Sequence, residues 1–250
     1  MIIMALLMRH NQKNVPEESA APETGTRAVV HFDEIAQRYD LLNLILSAGF
    51  DRLWRRAAVR LLGNVSGRRC LDAATGTGRI AKLLARRGGR VTGIDISREM
   101  LRIARSGIKE TFCADTVFLE ADCERLPFSD GSFDAAVIGF GIRNMPHPGR
   151  ALGELFRVLK SGAPLVVLEF SRPRCRVVRF FFDIYFFRVL PLVGRAVSGH
   201  RFAYSYLPAS VAGFAQGEAF AEMLRGAGFA DVMVRPMTFG IASLYRGSRP

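Results

Sequence analysis

The stretch Cys70 to Ala85, CLDAATGTGRIAKLLA, constrains the fold more than any other. A short apolar run meets an acid, two glycines follow among small residues, and a helix-like amphipathic segment closes the unit. Such a sequence builds a strand, a tight turn able to cradle a ligand, and a helix. Gly76, Gly78 and Ala81 also satisfy the G-x-G-x-x-G/A spacing of dinucleotide sites. The turn alone therefore admits a nicotinamide or flavin as readily as another adenosine-bearing cofactor.

The same alternation recurs downstream. Residues 90–97 read as a second strand, 116–122 as a third, 130–141 as a turn and a fourth, and 165–171 as a fifth. Amphipathic segments separate them, at REMLRIARSGIK and GRALGELFRVLK, and Gly88-Gly89 stop the first helix. DVMVRPMTFGIASLYRGS reads as two further strands around a turn at Phe239-Gly240. Strands alternating with helices predict a parallel, doubly wound sheet with its ligand at the carboxyl ends of the strands. The expected architecture is a Rossmann-like α/β domain, with a seven-stranded, mostly parallel sheet, helices on both faces and a helical cap. Residues 1–27 read as a flexible tail, 28–250 as one domain, 28–62 as a helical lid and 174–210 as a helical insertion.

Acids choose among the cofactors. Asp72 stands just ahead of the turn, where a pyrophosphate would be repelled. S-adenosylmethionine instead offers an ammonium there, which a carboxylate binds directly or through water, and backbone N–H groups of the turn suit its carboxylate. Asp95 ends the second strand, the place of an acid that takes two ribose hydroxyls. Asp122 ends the third, where an acceptor meets an adenine amino group. The reading runs methionine end, ribose, adenine along three successive strands. Each acid alone is equally a loop-edge residue or helix cap. Arg79 breaks a local rule, as a cation at a helix start.

Composition narrows the classes. At 250 residues and 49% apolar, the chain buries a substantial core and is not generally disordered. Its formal net charge of +12 suits nucleic acid, an anionic membrane or an anionic substrate, or is an Arg-rich solvated surface. Cys70, Cys113, Cys123 and Cys175 show no C-x-x-C spacing, so no metal site is expected. Cys70 reads as a reduced core thiol, consistent with a cytoplasmic setting. MIIMALLMRHNQ lacks the order of a signal peptide, and no run reaches the roughly twenty apolar residues of a membrane span.

The chain resembles the ubiquinone/menaquinone biosynthesis C-methyltransferase family, within the class I S-adenosylmethionine-dependent methyltransferases. FDEIAQRYDLLN, LDAATGTG, GIDISREML, ADCERLPFSDGSFD, GFGIRNM, ALGELFRVLKSG, LVVLEFSRP, VLPLVG, YSYLPASV and MLRGAGF occur in the family's order. The resemblance implies that Thr77 lies in the cofactor loop, Asp95 is the ribose acid, Asp122 and Cys123 bracket the adenine, and Gly139 lies beside the cofactor. It departs at Arg79, where an acid is common, at Thr75, at Cys123, where alanine is usual, and at SGHRFAYSYL.

The implied reaction methylates a ring carbon of a prenylated quinol, demethylmenaquinol to menaquinol. The site then needs a base or a cation that stabilises a phenolate, because a phenol titrates near ~10. Arg143 and Asn144 are the catalytic candidates. Arginine stays protonated, so it holds a phenolate or polarises a water, and Asn144 orients that water. The alternatives are a surface arginine and a helix cap. Tyr39 and Asn43 are candidates for a lid over the substrate, with helix packing the alternative for Tyr39. Glu169 is a candidate base or the partner of a nearby arginine, and His147 a further base candidate or an exposed turn residue. The Phe- and Arg-rich run 176–199 suits an anionic membrane surface, or else a cap or homodimer interface. A methyltransferase of another small aromatic or lipid is the nearer alternative. An RNA-binding or RNA-modifying protein is the more distant one, and no nucleic acid partner is expected.

Overall fold

The computed structural model describes residues 47, 49–108, 115–185 and 210–250. The expected tail, Tyr39 and Asn43 in the lid, and residues 186–209 of the insertion lie outside the described residues.

The chain alternates as its sequence pattern predicts. Helix α1 spans Asp51–Leu61, followed by β1 (Arg69–Ala73), α2 (Arg79–Ala85), β2 (Arg90–Asp95), α3 (Arg98–Ser106), β3 (Thr116–Glu120) and β4 (Ala135–Gly139). Then come α4 (Pro148–Val158), β5 (Pro164–Phe170), α5 (Arg176–Ile184), α6 (Glu218–Gly226), β6 (Ala230–Met237) and β7 (Ala242–Ser248). The seven strands form one sheet in the order β3-β2-β1-β4-β5-β7-β6. Only β7 runs antiparallel to its neighbours, because a tight turn at Thr238–Gly240 joins it to β6 as a hairpin.

β2 ends at Asp95, the acid expected to close it, because Ser97 starts α3: its Oγ accepts the Met100 N–H at 3.1 Å, an N-cap. The third strand falls short of the sequence reading. β3 stops at Glu120, so Asp122 lies in a turn beyond the strand, its Oδ1 accepting the Glu124 N–H at 2.8 Å.

Strand alternation sends side chains to two cores. Cys70, Val137, Val166 and Leu168 meet Trp54, Leu84 and Phe140 on one face; Leu71, Ile138 and Val167 meet Leu152, Phe220 and Tyr245 on the other. Near-continuous burial along β4 and β5 is what a sheet covered on both faces requires. The Trp54 Nε1–H donates to Thr238 Oγ1 at 2.8 Å and ties α1 to the hairpin.

The chain order reverses between β1 and β4, and ligands of such sheets bind at the carboxyl ends of strands beside that switch. Two residues there are forced into left-handed backbone without being glycine: Ala74 after β1 (φ 51°) and Phe140 after β4 (φ 62°). Such strain persists only where packing over-determines it, and it clusters at ligand sites.

Candidate active site

A cleft of about 340 Å³ opens at this switch point. Gly76 and Ala74 line it from β1, Asp95 and Ile96 from β2, Asp122 and Cys123 from beyond β3, and Gly139 to Gly141 and Asn144 from β4 and the turn after it. Six of the residues expected at the site thus converge: Gly76, Asp95, Asp122, Cys123, Gly139 and Asn144.

Asp95 braces the floor. Its Oδ2 accepts the Gly76 N–H at 2.8 Å and its Oδ1 the Ser97 N–H at 3.0 Å. Asp95 also lines the cleft, at the end of β2 where the ribose acid is expected. The Cys123 thiol is buried, and desolvation with the nearby Asp95 charge pushes its pKa upward. It is therefore an uncharged wall, not a nucleophile.

Asp72 corrects the expectation. It is buried and absent from the cleft lining; its Oδ2 accepts the Thr75 hydroxyl at 2.6 Å and the Ala81 N–H at 2.8 Å. The acid therefore holds the glycine turn from beneath. Burial, the largest influence, pushes its pKa up to about 7, against the pull of these hydrogen bonds and of the Arg55 charge. Thr77 and Gly78 also lie off the cleft. The Thr77 carbonyl accepts from Lys82 Nζ at 3.2 Å. Gly78 (φ 73°) starts α2 with no room for a side chain, since a Cβ would stand 3.1 Å from Ala104 Cβ and 3.2 Å from Phe118 Cζ. Arg79, anomalous in sequence, reaches back to α1 and donates to Asp51 Oδ2 at 3.2 Å.

Arg143 also differs from expectation. Its side chain is 6% exposed and stands behind the cleft wall, not on it. Nη1 donates to Glu169 Oε1 at 2.5 Å and to the Phe140 carbonyl at 2.9 Å, and the guanidinium lies over the Phe170 ring. Asn144 Nδ2 approaches the same carbonyl at 3.4 Å. Both candidates thus converge on the strained Phe140 corner, and only Asn144 faces the cleft. Glu169 takes the second of its two readings, as the partner of an arginine. Burial raises its pKa, and the Arg143 charge opposes this. Among the described residues, Glu169 Oε2 and Arg143 Nε are buried without a hydrogen-bond partner. His147 sits at the cleft rim, its side chain more than half exposed and its Nδ1 3.0 Å from Glu124 Oε2.

Two features escape the sequence. Ile96 and Met100 supply an apolar side next to the ribose acid, and Ile96 is exposed, as a platform for a flat ring would be. Its signal is an apolar residue directly after Asp95.

The lining fits S-adenosylmethionine, with acids along the ribose and adenine side and apolar walls. Gly139 and Gly141 are held to glycine by the protein's own packing: at Gly139 a Cβ would stand 2.5 Å from Ile80 Cδ1, and at Gly141 one would stand 2.6 Å from Ala74 Cβ.

Residues 22–249 match the model of the ubiE/COQ5 methyltransferase family. The chain is 48% identical to a demethylmenaquinone methyltransferase of Thermus thermophilus over 88% of this chain and 100% of that protein. It is 45% identical to a ubiquinone/menaquinone biosynthesis C-methyltransferase UbiE of Geobacter sp. (strain M21), over 92% and 99%. Among solved structures, a SAM-dependent methyltransferase from Thermotoga maritima superposes with a TM-score of 0.61 at 24% identity, covering 88% of this chain and 98% of its own. That likeness supports the fold.

Proposed function

The chain belongs to the ubiE/COQ5 methyltransferase family, and from that premise we propose that it converts demethylmenaquinol to menaquinol. It is an S-adenosyl-L-methionine-dependent C-methyltransferase of quinone biosynthesis. The observation that carries the finer reading is the meeting of the cleft with the Phe140 corner, where Asn144 lies on the wall and the Arg143–Glu169 pair lies behind it.

Bound S-adenosylmethionine supplies an electrophilic methyl group. The chain's residues position and exclude. Asp95 receives the ribose hydroxyls, Asp122 and the wall at Cys123 receive the adenine, and Gly139 lies beside the cofactor. Asn144 orients a quinol ring hydroxyl or its water, so that the adjacent ring carbon lines up with the methyl group. Arg143 acts as a positioning residue: it fixes the Phe140 carbonyl, against which Asn144 is set. Glu169 balances its charge, since a lone buried guanidinium costs several kcal/mol (about 3–5 on removal of a partner).

The prenyl tail and its bilayer suit α5. Phe182 is buried in the core, whereas Val177, Phe180 and Phe181 share the other face at 65%, 61% and 65% exposure. Arg176 flanks them. This supports peripheral contact with an anionic membrane on its cytoplasmic side. Among the described residues no helix is long and apolar enough to cross a membrane. Flotation with anionic liposomes tests the contact: co-flotation at low salt, lost in Phe180→Ser/Phe181→Ser, supports it, and no association refutes it. Quinone profiling of a deletion strain tests the substrate. Accumulated demethylmenaquinone is expected; an unchanged quinone pool refutes the assignment.

A further inference from the structure

The turn Thr238–Gly240, between β6 and β7, carries backbone strain outside the cleft. Thr238 (φ 43°) and Phe239 (φ 57°) are consecutive non-glycine residues in left-handed backbone, ahead of Gly240 (φ 89°). A β-carbon is disfavoured there. The turn nonetheless presents a phenyl ring to solvent, since Phe239 is 80% exposed. Such strain persists where the surroundings over-determine it. Here Trp54 Nε1–H donates to Thr238 Oγ1 at 2.8 Å, and the Ser171 hydroxyl donates to the Gly240 carbonyl at 2.8 Å. The Ser171 N–H donates to the Ile241 carbonyl at 2.9 Å. The frame of the turn is fixed from α1 and from the end of β5, and Phe239 projects from it.

The turn stands at the carboxyl end of β5, because Ala242 pairs with Phe170, the last residue of that strand. The cleft opens at the same end of the sheet. Apolar side chains reach the surface on both elements that hold the turn. On α1, Phe50 stacks on Trp54 with centroids 6.2 Å apart, and Phe50 and Leu53 are exposed. On the other side, a Cβ at Gly240 would stand 3.5 Å from Pro173 Cα, in the segment that leads to the exposed Val177, Phe180 and Phe181 of α5. Charge follows these elements. Arg52 and Arg56, one turn apart on α1, and Arg176 on α5 are exposed, and none has a carboxylate partner among the described residues. Asp51, the acid of α1, is engaged by Arg55 and Arg79. Exposed rings flanked by unpaired guanidinium groups match an anionic bilayer, whose acyl chains take the rings and whose phosphates take the cations. A nucleic acid offers phosphates but no seat for Leu53 and Val177.

We propose that the β6–β7 turn is a membrane-inserting wedge: Phe239 enters the acyl region of an anionic bilayer, with Phe50 and Leu53 beside it and Arg52 and Arg56 at the headgroups. The proposal rests on the reading that the chain works at such a membrane, and it names the element that enters. Insertion at this end of the sheet turns the mouth of the cleft toward the bilayer. A prenylated ring then reaches the cleft while its tail stays among the acyl chains.

Tryptophan fluorescence on vesicles tests this. Trp54 is the chain's only tryptophan and is buried, so Phe239→Trp places a reporter at the turn. The vesicles contain phosphatidylglycerol and phosphatidylcholine, the latter brominated on its acyl chains. Emission of the variant should shift to the blue and be quenched by the bromines, whereas wild type, reporting from Trp54, should stay unquenched. Phe239→Gly should weaken vesicle binding about 10-fold, the worth of one buried aromatic side chain. It should also raise the melting temperature by about 2–4 °C, because it relieves the left-handed backbone. Arg52→Gln/Arg56→Gln should weaken binding about 10-fold at low salt and less at high salt. Unquenched emission from Phe239→Trp on vesicles that wild type co-floats with would overturn the wedge and leave the membrane reading standing. Wild-type protein that does not float would overturn both. A melting temperature that falls in Phe239→Gly, or a wild-type dimer in lipid-free buffer that this substitution dissociates, would assign the ring to protein packing and overturn the proposal.

Discussion

Replacing Asp72 by asparagine isolates the cost of the buried acid under the glycine turn. An unfolded aspartate titrates near ~3.9, and this one is pushed up to about 7 in the fold. Between those values the unfolded chain has released its proton while the folded protein retains it. Stability from this group is therefore full below pH ~4 and falls as pH rises through ~7. The loss is roughly 1.5 kcal/mol at about pH 5 and roughly 4 kcal/mol by about pH 8. In Asp72→Asn the side chain keeps an oxygen to accept from the Thr75 hydroxyl and the Ala81 N–H, the two contacts that hold the turn. It carries no charge to desolvate. Urea denaturation of the ligand-free protein from about pH 5 to about pH 8 should show the variant gaining on wild type by roughly 2.5 kcal/mol across that range. A stability difference that is flat with pH would refute the argument that desolvation dominates at this position.

Glu169→Gln removes the counter-charge of Arg143 and should destabilise the protein by about 3 kcal/mol, with methyl transfer falling alongside; Arg143→Met/Glu169→Leu should recover most of the stability but not the activity, as read by denaturation and turnover. Gly78→Ala imposes a left-handed Cβ within 3.1 Å of Ala104. Its stability should fall by about 1–3 kcal/mol, read as a lower melting temperature. Ala74→Gly relieves a left-handed alanine and should raise stability by about 1 kcal/mol, checked by thermal melts.

The ends of β2, β3 and β4 are legible because each is a short run closed by an acid or glycine, at Asp95, Glu120 and Gly139. The cleft follows, with Asp95, Gly76 and Asp122 placed by the period of the βα units. What the sequence hides is depth. Asp72 looks like a ligand by its place beside the turn, yet it is buried beneath that turn, whose own donors claim it. Arg143 and Glu169 are 26 residues apart in sequence, and only the β4–β5 pairing brings their ion pair together behind the wall. Arg79 reads as an error at a helix start until Asp51, on a helix before β1, comes within reach.

The central claim is ring-carbon methylation in this cleft. It is tested most directly by incubating the purified protein with methyl-labelled S-adenosylmethionine and a reduced, prenylated demethylnaphthoquinol. Label on a ring carbon, with one S-adenosylhomocysteine released per methyl and turnover lost in Asn144→Ala, is the predicted result. Label on a ring oxygen, or none on the quinol, would contradict it.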